Sequence, residues 1–431
     1  MNRYLYSLIL YLLVPCVFLK HLWRSRQAPA YRKRWGERLG FYRTLSFHQP
    51  VIWVHAVSVG ETIASAPLVK KLIDSYPGYR VLVTTMTPTG SEQVKKIHGD
   101  TVSHLYAPYD LPCAQSRFLT HVNPAIAIVI ETELWPNTIN ACYQRNIPVV
   151  IANARLSARS AKGYRKLGSL TRKMMSKIAM VACQNADDGE RFLQLGLPRE
   201  RMRVTGSIKF DLAVDAHLQE KSKQLKTSWQ MGLGRPVTVL IAASTHDGED
   251  QPIIDAFIAL KKTHKDLLLV IVPRHPERFN SVYEQVLRNQ LTCLRHSQHP
   301  VLTSSTDVIL GDTMGELMML YGASDIAFVG GSLVERGGHN MLEPASLGLP
   351  VISGPHTFNF LDISQSLAKA GGLLMVHNVD TLIKTVSTLL DNTDYRRMIG
   401  KKGEQFVKAN GGALEYQIQL ISSALPVLIN E

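Results

Sequence analysis

Cysteine is scarce and unpatterned in this 431-residue chain. The five cysteines, Cys16, Cys113, Cys142, Cys183 and Cys293, are odd in number and form no C-x-x-C pair. That argues against a disulfide framework or a zinc ribbon and fits a reducing compartment, with thiols used as small hydrophobes. Nucleotide-binding glycine signatures are missing as well. Neither G-x-x-x-x-G-K-[ST] nor G-x-G-x-x-G occurs, so the P-loop ATPase and Rossmann dehydrogenase readings lose their main support. His246, His275, His339 and His356 do not follow a zinc spacing. Each falls in a turn and reads as a hydrogen bonder. Low-complexity segments, short repeats and an aromatic-interleaved RNA-binding module are all absent, which leaves no nucleic-acid partner. Acidic residues are the remaining deficit: 35 Asp and Glu against 48 Lys and Arg give a formal charge of +13. Much of that charge lies near the N-terminus, which favours anionic lipid or a phosphorylated substrate.

What is present begins with an uncharged apolar run, Tyr4 to Leu19, extendable to Trp23. A bilayer span needs roughly 17–25 residues, so residues 1–23 are expected to form a single-pass membrane anchor. Only Arg3 precedes the run, whereas Lys20, Arg24, Arg26, Arg32, Lys33, Arg34 and Arg38 follow it. The positive-inside rule then leaves the rest of the chain in the cytoplasm, at the inner membrane. A cleaved signal peptide would show the opposite charge order and a small-residue cleavage site. A buried or monotopic helix is the alternative.

From Val51 to about Phe210, short β-rich apolar runs alternate with helical patterns. That alternation predicts a parallel sheet covered on both faces, in a domain spanning 24–212. Residues 213–235 are polar and basic and read as a connecting helix and linker. The pattern restarts at Val237 and defines a second α/β domain, 236–405, followed by C-terminal helices over 406–431. Two doubly wound domains in tandem place ligands beyond the carboxyl ends of the strands, with the natural site in a cleft between them.

Polar clusters sit at the expected strand ends. In the first domain, Glu61 closes His55-Ala-Val-Ser-Val-Gly-Glu61 at a helix N-terminus, where it reads as a general base or as a favourable cap. The helix dipole is expected to lower its pKa and keep it ionised. Thr84–Ser91 is a hydroxyl-rich turn. In Glu131-Thr-Glu-Leu-Trp-Pro-Asn137, Glu131 and Glu133 should point oppositely if the strand continues, leaving one toward the cleft. A metal-binding acid pair is the rival there, without a third ligand nearby. Arg155 reads as a carboxylate or phosphate fork, and Lys209 as a group that meets developing negative charge.

In the second domain, Pro273 fixes a turn and Arg274 is placed to pair with a phosphate. Asp312–Leu317 is expected to open a helix whose N–H groups at Met314, Gly315 and Glu316 are available. The stretch Ala327–Ser346 reads as strand, Gly-rich turns and a helix opening at His339-Asn340-Met341-Leu342-Glu343 and running to about Gly348. That is an anion cradle, with Glu343 one turn inside where a ribose could bind. A plain pair of turns is the alternative.

Six of these segments together resemble one family: HAVSVGE at 55–61, ETELWPN at 131–137, NARLS at 153–157, PRHPER at 273–278, TMGEL at 313–317 and GGHNMLEPAS at 337–346. The chain is similar over almost its whole length to the Kdo (3-deoxy-D-manno-octulosonate) transferases that act on lipid A precursors. The resemblance implies a GT-B fold of two Rossmann-like α/β domains facing a cleft, with acceptor binding in the first and CMP-sugar binding in the second. It implies CMP-Kdo as donor, lipid IVA as acceptor, inversion, and neither a cofactor nor a metal. Glu61 matches the family's base, and Glu131 and Lys209 match its transition-state stabilisers. Pro273, Arg274, Met314, Gly315, Glu316, Asn340, Met341, Leu342 and Glu343 match its CMP contacts. Met341 stands where Pro is common in the family, and Ser207 where Asn is common. The alternatives are a GT-B transferase with another nucleotide sugar, a two-domain sugar epimerase, and an inactive membrane-tethered binding protein.

Overall fold

A computed structural model describes residues 1–26, 29–42, 46–212 and 214–426. Ala213, where the linker is expected to begin, and 427–431, at the end of the expected tail, lie outside the described residues. The chain divides into two compact units: Met1–Asp211 with Gly411–Glu431, and Leu212–Asn410.

The sheet of the first unit contains β1 (Val51–His55), β2 (Arg80–Thr85), β3 (Ser103–Tyr106), β4 (Pro124–Ile130), β5 (Val149–Ala154), β6 (Met180–Cys183) and β7 (Met202–Val204). Their spatial order is β3-β2-β1-β4-β5-β6-β7, with parallel pairing throughout. The strands are almost continuously apolar because both faces are covered. One core gathers Trp53, Phe118, Val129, Ile151 and Phe192, and the other gathers Ile52, Val54, Leu68, Val83 and Ile128.

The second unit repeats the design with β8 (Thr238–Thr245), β9 (Leu267–Pro273), β10 (Cys293–Arg295), β11 (Val308–Leu310), β12 (Ile326–Val329), β13 (Val351–Ser353) and β14 (Leu373–Met375). The order is β10-β11-β9-β8-β12-β13-β14, again all parallel. Strand order reverses between β1 and β4 in one sheet and between β8 and β12 in the other. Those reversals open a crevice at the strand ends, where doubly wound sheets bind ligands.

The chain order differs from expectation at several places. The three-residue β10, and the helices Ala158–Lys166 and Ser169–Met175, are additional elements. β10 is too short to show a period, and the two helices are basic and weakly apolar. The expected connecting helix is present, Ala216–Leu233, but it belongs to the second unit and is not a separate linker. Trp229 and Leu233 pack in a core with Val239, Ile241 and Leu320. The helix approaches Leu317–Gly322 so closely that a Cβ on Gly322 would stand 2.4 Å from Ser222 Oγ. The C-terminal helices also part company. Thr393–Asn410 stays with the second unit, while Ala413–Ala424 returns to the first. There Ile418 and Ile421 join the core of Ile52 and Val54, each stabilising by about 1.5–3 kcal/mol.

The N-terminal apolar segment is a helix, Arg3–Arg24, long and apolar enough to cross a membrane. It is laid against the first unit along its length. Tyr6 OH donates to Asp110 at 3.0 Å near one end, and Phe18 packs on Trp35 and Tyr109 toward the other.

Candidate functional site

In the first unit, the turn after β1 carries the expected base. Ser58 is extended, caps the helix Val59–Ser75 and accepts from the Glu61 N–H at 3.2 Å. The Glu61 carboxylate folds back over this turn. It accepts from Val57 N–H at 2.9 Å and from Ser58 Oγ at 2.7 Å. This pairing is a variant of the capping box, with the carboxylate held rather than waving in solvent. Burial raises the Glu61 pKa to about 7; the bond from Ser58 works against that rise, and the charges of Glu133 and Glu131 add to it. This corrects the expectation of a lowered pKa. The dipole and both hydrogen bonds favour the anion, yet desolvation outweighs them.

The two acids of the next loop both reach this neighbourhood. β4 ends at Ile130, and Glu131 adopts a left-handed backbone with φ of 60°. An extended strand would set residues two apart on one face, so the expected divergence of Glu131 and Glu133 does not follow from alternation, and β4 in any case stops before them. Glu133 accepts from Trp135 Nε1 at 2.9 Å, and burial raises its pKa as well. Among the described residues, no three His, Cys, Asp or Glu side chains are grouped to hold a metal ion. His55 lies beneath, at the end of β1. Its Nδ1 is 2.9 Å from Thr84 Oγ1, its ring stands edge-on to Trp135 at 4.7 Å, and burial pushes its pKa down to about 3. It is a neutral floor to the site rather than a cation that would offset the acids.

Lys209 lies on a 3-10 turn, Ile208–Phe210, that packs against the Glu61 helix. Asn153 holds this turn in place. Buried, with φ of 50°, it accepts at Oδ1 from Ile208 N–H at 3.2 Å and donates its own N–H to Gln417 Oε1 at 2.9 Å. Its carbonyl accepts from Gln184 Nε2 at 2.9 Å. In the sequence Asn153 stands out only as the first residue of NARLS, without a role of its own, and Gln417 does not stand out; together they brace the turn that carries Lys209. An Asn directly after an apolar strand, tolerant of the left-handed region, was the available signal. Thr132 Oγ1 donates to the Arg155 carbonyl, joining the Glu131 and Arg155 loops.

The second unit gathers the residues expected to bind nucleotide. Arg274 follows β9, is exposed, and donates its N–H to the Thr245 carbonyl at 3.0 Å. Its charge reaches both His339 and Glu343. Glu343 is raised in pKa by burial and accepts from Asn340 Nδ2 at 3.0 Å. His246 and His339 stack at 5.1 Å with Nε2 atoms 2.8 Å apart, and His275 stands edge-on to His246. Burial, with nearby Arg274, lowers His339 to about 4, so this contact is one neutral ring donating to the other. The histidines are mutual hydrogen bonders and not merely turn residues. Beneath them, Glu249 accepts from the N–H groups of His246, Gly331, Ser332 and Leu333 at 2.9, 2.6, 2.9 and 2.9 Å.

Three details depart from the expected cradle. The helix begins at Leu342, not His339, and ends at Ser346, so it is too short for a large dipole. Asn340 Oδ1 already takes the Leu342 N–H at 3.2 Å. Met341 and Leu342 are fully buried, so their side chains face the core. Similarly, the helix after Asp312 begins at Leu317. Gly315 has φ of 90°, Met314 is exposed, and Glu316 lies 3.3 Å from His296 Nε2. The left-handed glycine delays the helix by two residues.

Residues 33–212 match the family 3-deoxy-D-manno-octulosonic-acid transferase (kdotransferase), and 236–406 match glycosyl transferases group 1. The chain is 45% identical over 427 residues to the 3-deoxy-D-manno-octulosonic acid transferase of Haemophilus influenzae, covering 99% of each. Among solved structures it is similar to the UDP-GlcNAc 2-epimerase of Neisseria meningitidis bound to UDP-GlcNAc. That match has 16% identity, covers 87% of this chain and 100% of that one, and has a TM-score of 0.56. It is also similar to a glycosyltransferase from Rickettsia africae, with 13% identity, 89% and 100% coverage and a TM-score of 0.54. At these identities the two structures support the shared two-domain α/β fold.

Proposed function

The chain belongs to the 3-deoxy-D-manno-octulosonic acid (Kdo) transferases, glycosyltransferases of GT-B fold, and on that premise we propose that it moves Kdo from CMP-Kdo to lipid IVA in lipopolysaccharide biosynthesis. The observation that carries this reading is Glu61, held at the strand-order reversal of the first unit with a pKa of about 7. A base poised there is close to half ionised at neutral pH and still strong enough to accept a proton.

Glu61 takes the proton of a primary hydroxyl on the acceptor sugar. The oxygen's electron pair attacks the anomeric carbon of Kdo from the face opposite the phosphate. The bond to the phosphate oxygen breaks, CMP leaves with that electron pair, and the configuration inverts through an oxocarbenium-like transition state. Lys209, on the turn beside the Glu61 helix, meets the negative charge that develops. Glu131 stabilises positive charge on the sugar ring. On the second unit, Arg274 pairs with the donor phosphate and Glu343 accepts from ribose hydroxyls. Pro273 shapes the approach to Arg274, and main-chain groups of Met314, Gly315, Glu316, Asn340 and Met341 complete the CMP contacts. The side chains of Met341 and Leu342 serve only as the packed support. CMP-Kdo carries one phosphate charge, which Arg274 offsets, so the reaction runs without divalent metal or cofactor.

The test is a product mass. Detergent-solubilised protein is incubated with CMP-Kdo and lipid IVA, with and without chelator, beside Glu61→Ala. We expect a gain of one or more Kdo units that is indifferent to chelator and absent in the variant. A wild-type protein that is folded but adds no mass would move the reading to another donor. Full activity in Glu61→Ala would remove the proposed base.

A further inference from the structure

The N-terminal helix turns a large apolar face outward while its inward stripe begins with polar residues. The stripe facing the first unit is Arg3, Tyr6, Ser7, Leu10, Val14, Val17 and Phe18, at spacings of three and four. Its first three members are polar and bonded. Arg3 Nη1 and Ser7 Oγ donate to Asn137 Oδ1 at 3.3 and 3.1 Å, and Tyr6 OH donates to Asp110 Oδ2 at 3.0 Å. The outward face is the apolar one: Tyr4 is 78% exposed, Leu8 56%, Leu12 70%, Leu19 64% and Trp23 67%. A contiguous apolar face of this kind requires a cover.

Both ends of the helix are held by one unit. The N-terminal amine of Met1 donates to the Leu167 carbonyl at 3.3 Å, and Phe18 packs on Trp35 and Tyr109 at 5.1 and 6.1 Å. A spanning helix would carry its first residues across roughly 30 Å of hydrocarbon, away from whatever its last residues touch. Here the anchors of the first turn are built in. Asp110 also accepts from the Asn137 and Thr138 N–H groups and from Thr138 Oγ1, so Tyr6 joins a buried network. Positive charge flanks both ends. Lys20, Arg24 and Arg26 are exposed at one. At the other, Arg3, Lys173 and Lys177 line a cavity of about 250 Å³, close enough that the first two depress the Lys177 pKa beyond the effect of burial.

We propose that this helix lies in the plane of an anionic bilayer, its outer apolar face in the acyl boundary and its basic ends on lipid phosphates, and does not cross the membrane. The occupant of the exposed face is lipid because the face pairs a long apolar strip with cations at both ends, the pattern of an interfacial helix. The N-terminus then stays on the same side as the catalytic units. The inference is independent of which sugar donor the protein uses.

The experiment uses the full chain with exposed Cys16 and Cys113 replaced by serine, carrying either Asn2→Cys or Lys265→Cys on the exposed surface of the second unit. Each is labelled in sealed membrane vesicles of known orientation with an impermeant maleimide. The in-plane helix predicts labelling of both positions from the same face. Labelling of Asn2→Cys from the opposite face, or from neither, overturns it. Independently, Leu8→Gln/Leu12→Gln leaves the inner stripe intact and should lose co-sedimentation with phosphatidylglycerol vesicles while retaining its circular dichroism. Undiminished binding of this variant overturns the lipid assignment. Wild-type binding should fall on pure phosphatidylcholine, and equal binding there overturns the role of the basic ends.

Discussion

Glu61 and Glu249 occupy similar places in two seven-stranded parallel sheets. Each follows the first strand of its unit, at the point where strand order reverses, and each stands at the start of the next helix. Their surroundings differ. Glu249 is wholly buried and receives four backbone N–H groups, so it ties the turn after β8 to the glycine turn after β12. Glu61 receives two donors, remains partly accessible, and has two other carboxylates for company. One fold position therefore holds a carboxylate in two different environments. A carboxylate saturated with fixed donors is structural, whereas one that is desolvated and under-supplied with donors is ready to accept a proton.

The largest expected effect is on Glu61. Its replacement by alanine should lower turnover on the order of 10²–10⁴-fold, the usual contribution of a positioned base. Wild-type activity should rise with pH through about 7 and then level off, because the ionised form acts. A residual rate in the variant with the same pH limb would assign that limb to another group. Glu249→Ala should act on stability instead. It leaves four N–H groups, two of them fully buried, without an acceptor and should destabilise the second unit by on the order of 2–5 kcal/mol, read as a lower unfolding midpoint. A stable Glu249→Ala with impaired turnover would reverse the contrast.

A smaller effect concerns Glu61 alone. The Glu61 pKa lies above its ordinary value of 4.5, so the unfolded chain releases this proton before the folded chain does. Stability is therefore kept at low pH and lost as pH rises toward about 7. Glu61→Gln escapes that loss and should be more stable than wild type at pH 8, by on the order of 1–3 kcal/mol, with no advantage near pH 4. Thermal unfolding at the two pH values checks it. The smallest expected change is in Glu133→Gln. Removing one neighbouring negative charge should move the activity limb to lower pH while leaving the plateau nearly intact, and an unmoved limb would separate Glu133 from Glu61.

Much of this architecture was legible in the residues. The strands are short β-branched runs between amphipathic helices, so their existence and parallel arrangement follow from burial on both faces. β10 was missed because three residues, Cys293–Arg295, carry no period. The polar clusters at the strand ends were also readable, since each follows an apolar run directly. What misled was local reasoning about electrostatics and direction. Proximity to a helix N-terminus argued for a low Glu61 pKa, and alternation argued for divergent Glu131 and Glu133. The first inference left out desolvation, and the second misapplied the period of two, which puts residues two apart on one face, and assumed that the strand continued past Ile130.

The amino-acid order by itself determined the two α/β repeats, the apolar N-terminal helix and the six motifs, because each depends on contacts or periods within a few residues. Only the tertiary structure decided that Ala413–Ala424 returns to the first unit and that Asn153 and Gln417 brace the Lys209 turn, 55 and 264 residues distant from Asn153 along the chain in the bonds that do so. It also decided which carboxylate is saturated with donors and which is desolvated with only two. Protonation depends on how many donors and how much water surround a group, and those are supplied by segments far away in sequence.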